Sequence, residues 1–172
     1  MPEPKAYESY PLRSVLAYNI ILLVNYIVGI YILTRIDLVW GSLFLAYVII
    51  LELKVYKEGC VNCYYYGKRC FSGRGAVVSK FLKRGNPKKF CERKVTIKDL
   101  IPTIMALVFP TIGAGYLLWQ NLDPVIIGLI IIPWLIWFIG NPLIYGKLAC
   151  LHCKQGRICC PANDFFGKKN KD

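Results

Sequence analysis

A chain of 172 residues, 56% of them hydrophobic, is too apolar for an ordinary soluble domain of its length and falls in the integral membrane class. Lys and Arg number 22 against 10 Asp and Glu, a formal net charge of +12. The basic residues fall where membrane topology places them, so the excess implies no nucleic-acid partner.

Taken in chain order, residues 1–13 form a short polar lead carrying Lys5 and Arg13, and residues 14–34 form a first span. That run holds twelve Leu, Ile and Val residues, each worth roughly 0.3 to 0.6 kcal/mol of insertion at a helix centre, which outweighs its two asparagines. It is longer than a signal-peptide core and lacks an Ala-x-Ala-like cleavage site, so it reads as a span. After the turn "RID", residues 38–56 form a second span. Only 14 of its residues, Leu38 to Leu51, are free of charge. Glu52 and Lys54 extend it because long charged side chains can snorkel to the headgroups.

Residues 57–98 are a basic, Cys-rich loop. Within it, "GAVVSKFLKRG" places Val77, Val78, Phe81 and Leu82 on one helical face and Lys80, Lys83 and Arg84 on the other. This pattern predicts a short basic amphipathic helix, either in the membrane interface or packed on the protein itself. The "GRG" at residues 73–75 is too short to suggest a phosphate loop. Residues 99–122 and 124–146 form the third and fourth spans, joined by "NLD", and residues 147–172 are a second Cys-rich segment. Asn19, Asn25 and Asn141 are expected to make interhelical hydrogen bonds, and Pro110, Pro133 and Pro142 to kink their helices.

Four spans place residues 1–13, 57–98 and 147–172 on one side, and 21 of the 22 basic residues lie on that side, with Arg35 alone opposite. By the positive-inside rule both termini and the long loop are cytoplasmic, in a multi-pass protein of the cell membrane. All eight cysteines, Cys60, Cys63, Cys70, Cys91, Cys150, Cys153, Cys159 and Cys160, fall in those segments. Cytosolic thiols are normally reduced, which favours metal or redox chemistry over disulfides, intracellular proteins of hyperthermophiles being the exception.

Cys60, Cys63 and Cys70 share their spacing with Cys150, Cys153 and Cys160, and each triplet follows a pair of spans. The chain therefore reads as two copies of a helical hairpin followed by C-x2-C-x6-C, related by an axis along the membrane normal. Cys91 is the fourth cysteine of the first copy and Cys159 of the second. Two sets of four thiolates suit two tetrahedral zinc sites, and spacing alone does not separate zinc from an iron-sulfur cluster. Lys68, Arg69, Lys154 and Arg157 stand near enough in sequence to offset thiolate charge and lower thiol pKa values. His152, between Cys150 and Cys153, reads as a non-ligand because four cysteines are available in its half.

No ionisable residue sits mid-span, which argues against a carboxylate-driven pump, and the single histidine excludes bis-histidine haem within the bundle. The chain resembles membrane thiol oxidases in its four spans and C-x2-C pairs, but no cysteine is expected on the external side. No catalytic triad, nucleotide fingerprint or carboxylate pair is present. The resulting expectation is an all-α membrane protein of four spans in two pseudo-repeated hairpins with a cytoplasmic metal-binding layer. It is read as a non-enzymatic scaffold or assembly protein, bound to the lipid bilayer and to a protein partner. The alternatives are a redox subunit carrying iron-sulfur clusters or a reactive dithiol, and soft-metal handling.

Overall fold

The computed structural model describes residues 5–93 and 96–160. They form α1 (Leu12–Thr34), α2 (Leu38–Glu58), α3 (Arg74–Phe81), α4 (Pro87–Glu92), α5 (Ile97–Gln120), α6 (Pro124–Leu135), α7 (Asn141–Leu143) and α8 (Lys154–Ile158). The described residues contain no strand, only an isolated parallel bridge between Tyr7 and Cys153. Four helical segments are long and apolar enough to cross a membrane: Leu12–Thr34, Leu38–Asn62, Ile97–Gln120 and Pro124–His152. At about 1.5 Å per residue even the shortest exceeds the roughly 30 Å hydrocarbon core. Their outward side chains include Ile20, Leu38, Ile112 and Trp119, a surface suited to lipid rather than to water.

Local chemistry sets the helix boundaries. Asp37 accepts a hydrogen bond from the Val39 N–H at 2.8 Å and so opens α2, and Asp123 does the same for Val125 at 2.9 Å, with Pro124 at the first helical position of α6. Beyond Pro133 the fourth span relaxes into π-helical turns at Ile136–Gly140 and Ile144–Ala149, the second just after Pro142. Proline removes an N–H from the ladder, and a wider turn is one way of accommodating that loss.

The chain divides into two compact units, one of Met1–Asn19, Leu53–Thr96 and Leu143–Asp172, the other of Ile20–Glu52 and Ile97–Pro142. In the second unit, Val28 and Ile32 of α1 pack with Ala114 of α5 and Ile126 of α6. Leu33 packs with Phe44 and Val48 of α2. Gly29 allows these helices to approach: a Cβ there would lie 2.7 Å from the Phe44 ring and 3.0 Å from Pro110. Gly29→Val is therefore expected to cost about 1 to 3 kcal/mol by overpacking. Thermal unfolding of the full chain in detergent measures this, and an unchanged midpoint would contradict so close an approach.

Polar groups in the spans are satisfied in ways that composition does not specify. The Tyr26 hydroxyl donates to Glu52 at 2.8 Å, so this carboxylate is held by a neighbouring helix. The Asn25 amide donates to the carbonyl of Ile21 in its own helix, and Asn19 donates to Val15 O and to Ser72 O of the long loop. These two asparagines thus bond their own helix and a loop, where bonds between spans were expected. Each lies one turn after the carbonyl it caps, within easy reach of an amide side chain.

Candidate functional site

All eight cysteines belong to the first unit. Each C-x2-C pair forms a single 3-10 turn, Cys60–Asn62 and Cys150–His152, and the two turns share a backbone conformation. Gly59 and Ala149 precede them with φ/ψ of −97/−65° and −87/−62°. Cys63 and Cys153 close them with −81/152° and −82/115°. In both, the N–H of the second cysteine donates to the carbonyl of the first at 3.3 Å.

The turns are tied to each other reciprocally. The N–H of Tyr64, just after Cys63, donates to Gln155 Oε1 at 2.6 Å. The N–H of Lys154, just after Cys153, donates to Tyr65 Oη at 2.9 Å. Tyr65 and Gln155 each stand two residues beyond the second cysteine of their own turn, so each turn supplies the acceptor that the other needs. Buried Gln155 also donates through Nε2 to the carbonyl of Cys159 at 2.8 Å.

The N-terminal segment lies against both turns. Tyr10 is almost fully buried, donates through its hydroxyl to Ala149 O at 2.6 Å, and donates through its backbone N–H to Arg69 O at 2.8 Å. Tyr65 Oη donates to Tyr7 O at 2.7 Å, and the Tyr7 N–H donates to His152 O at 2.9 Å. The His152 ring stacks on Tyr7 with centroids 4.7 Å apart, and its Nδ1 lies 2.9 Å from Lys5 O. His152 thus holds the N-terminal segment.

Cys63, Cys70 and Cys153 pack on one buried cluster of Tyr10, Val15 and Tyr65. Burial pushes the Cys63 thiol up to about 11; the backbone N–H of Tyr65 pulls against that rise, and the nearby thiols of Cys153, Cys70 and Cys160 add to it. Burial raises the Cys153 thiol as well, against hydrogen bonds from the Gly156 and Gln155 backbone. Gly156 N–H reaches Cys153 Sγ at 3.4 Å and Gly75 N–H reaches Cys70 Sγ at 3.3 Å. Gly75 is required here because a Cβ would fall 2.2 Å from the carbonyl oxygen of Tyr65.

Three of the neighbouring cations, Lys68, Arg69 and Lys154, are held by the N-terminal segment. Lys68 and Lys154 both pair with the carboxylate of Glu8, which also accepts from Tyr64 Oη, and both ammonium groups lie over the Tyr64 ring, at 4.5 and 5.1 Å. Arg69 donates to Ser9 Oγ at 3.3 Å. The Lys154 and Tyr64 hydrogen bonds hold the Glu8 carboxyl down at about 2. A depressed folded pKa gives stability that is complete above the unfolded value and is lost as pH falls. The Glu8 contribution should therefore fade between about pH 4.5 and about pH 2. Unfolding measured across that window should show a loss in the native chain that Glu8→Gln lacks; identical profiles would contradict the pairing.

The later part of the long loop folds back on the first turn: Gly85 N–H donates to Val61 O at 2.9 Å, and Arg93 pairs with Glu58 at 3.1 Å. Its helix α3 starts after Gly73, whose φ of 74° favours glycine. The apolar face of α3 is divided, with Val78 buried in the protein and Val77 and Phe81 exposed. Cys91, on α4, is joined by a disulfide to Cys159, with Cα atoms 5.3 Å apart and a sequence separation of 68. The other six cysteines stand outside that bond.

This disulfide takes one cysteine from each of the two expected four-cysteine sets. Among the described residues, no group of three or more His, Cys, Asp or Glu side chains is placed so that it could hold a metal ion. With Cys91 and Cys159 bonded to each other, neither expected set has four thiols available in this state. Sequence reasoning missed Glu8, Tyr10, Tyr65 and Gln155; the available signal was the run of tyrosines beside the first C-x2-C pair, which marks aromatic packing rather than solvent exposure. Comparisons with family models, with curated proteins and with solved structures returned no match.

Proposed function

We propose that this chain is a non-enzymatic multi-pass membrane protein whose cysteine-rich unit is a rigid basic scaffold for a protein partner. The observation that carries this reading is the reciprocal bonding of the two C-x2-C turns through Tyr65 and Gln155. Such bonding is what two copies of one hairpin-plus-turn unit would make about a shared axis. The distribution of 21 of 22 basic residues places the unit on the cytoplasmic side in this reading. Half-buried Cys63 and Cys153, their thiols raised by desolvation, are poor nucleophiles, which favours a structural role over dithiol catalysis.

Zinc belongs to this proposal as a property of the reduced chain. Its ligands would be Cys60, Cys63, Cys70 and Cys91 in one set and Cys150, Cys153, Cys159 and Cys160 in the other, and the Cys91–Cys159 bond must open before either set is complete. The matching turns and the N–H groups directed at Cys70 and Cys153 support thiolate binding there. A second reading, a redox subunit, is favoured by the disulfide itself, which adjoins Cys160. Elemental analysis of the chain purified anaerobically under reduction, with a visible spectrum, separates these readings. Stoichiometric zinc without colour is the expected result. Iron with labile sulfide would replace the scaffold reading with electron transfer, and no metal would leave the disulfide as the sole cross-link.

A further inference from the structure

The second unit holds an open groove of about 600 Å³ between α2 and α5, lined by Trp40, Phe44, Tyr47, Phe109 and Tyr116 among others. Beside it lies a polar cleft of about 470 Å³, lined by Arg35, Gln120, Asn121 and Asp123. Consecutive residues divide the two: Arg35 faces the cleft and Ile36 the groove, while Leu117 faces the cleft and Tyr116 the groove. The apolar groove and the cationic cleft are thus lined from the same two stretches of backbone, at residues 35–36 and 116–117.

Arg35 is the sole basic residue between the first and second spans, and no basic residue lies between the third and fourth. Among the described residues it makes no ion pair; its guanidinium donates to Tyr31 Oη at 3.2 Å and lies over that ring. The two carboxylates nearest in the chain and in the cleft, Asp37 and Asp123, accept hydrogen bonds at the starts of α2 and α6. A guanidinium presents a planar fork of donors suited to phosphate oxygens, and the amides of Gln120 and Asn121 add donors in the same cleft. The groove, part of segments able to cross a membrane, has aromatic and aliphatic walls that suit a hydrocarbon chain.

We propose that groove and cleft together bind one anionic phospholipid, its acyl chain along α2 and α5 and its phosphate on Arg35. Native mass spectrometry of the full chain, released from nanodiscs of equal phosphatidylglycerol and phosphatidylcholine, tests this. The native chain should retain phosphatidylglycerol over phosphatidylcholine by about tenfold, a ratio set by a charged hydrogen-bonding group. Arg35→Gln should abolish the preference while leaving the fold intact, and Ile112→Trp, which fills the groove, should reduce retention of both lipids. An unchanged preference in Arg35→Gln would overturn the proposal and assign the selectivity to the basic loops. Equal retention of both lipids by the native chain would overturn it too, as would displacement of the lipid by millimolar glycerol 3-phosphate, which would make a free phosphate the ligand.

Discussion

Tyr65→Ala is expected to destabilise the cysteine-rich unit by about 3 to 5 kcal/mol, the range for removing a buried aromatic side chain. Tyr65 is 1% exposed and packs on Tyr10 and Val15. Its hydroxyl also serves two backbone groups, accepting from Lys154 N–H and donating to Tyr7 O. Tyr65→Phe keeps the ring and removes only those bonds, so its cost should be about 1 to 3 kcal/mol. Burial pushes the Tyr65 phenol up to about 12, so the donor stays protonated at any physiological pH. Thermal unfolding of the full chain in detergent, followed by tyrosine fluorescence, measures both variants. Equal effects would mean that the hydroxyl carries the whole contribution and the ring none; two small effects would mean that the turns are held together elsewhere.

Cys91→Ser is expected to cost on the order of 4 kcal/mol through loss of the covalent link to Cys159. Closing a loop of 68 residues removes conformational entropy from the unfolded chain, and the benefit grows slowly with loop length. Cys159→Ser should cost the same, because either substitution opens the same loop. A reductant should lower the midpoint of the native chain to that of the variants and leave the variants unmoved. If the reduced native chain instead becomes more stable than Cys91→Ser when zinc is supplied, the freed thiols have taken up metal. If the variants match the oxidised native chain, the link contributes nothing to stability.

The four spans were legible because an apolar run of about 20 residues carries its own signature, independent of what it packs against. The caps at Asp37 and Asp123 were local in the same sense, each bonding an N–H two residues away. The shared turn of the two C-x2-C pairs was foreshadowed by their spacing, since residues so close in the chain have few ways to meet.

What the chain order hides is long-range pairing. Cys91 joins Cys159, 68 residues away, and nothing in the spacing distinguishes that partner from the nearer Cys70. Lys68 and Lys154 were expected to serve the thiols, yet both meet Glu8, a carboxylate in the N-terminal segment whose approach only the fold reveals. Tyr10 and Gln155 were invisible for the same reason: one is one of two tyrosines before the first span and the other a polar residue in a basic tail. Each gains its role from groups more than 90 residues away, Tyr10 from Ala149 and Gln155 from Tyr64. The π-helical turns beyond Pro133 and Pro142 mark another limit, because a proline announces a perturbed ladder without stating how the backbone absorbs it.

The central claim is a membrane protein that carries all its cysteines on the cytoplasmic side, and sealed vesicles of opposite orientation test it. A membrane-impermeant maleimide is applied to right-side-out and to inside-out vesicles containing the full chain, with modified residues identified by mass spectrometry. The account predicts labelling in the inside-out preparation alone, greatest at the exposed Cys150 and, among the six cysteines outside the disulfide, least at the half-buried Cys63, whose thiol is pushed up to about 11. Labelling of Cys150 in the right-side-out preparation alone would contradict it, placing the cysteine-rich unit outside and the disulfide in an oxidising compartment.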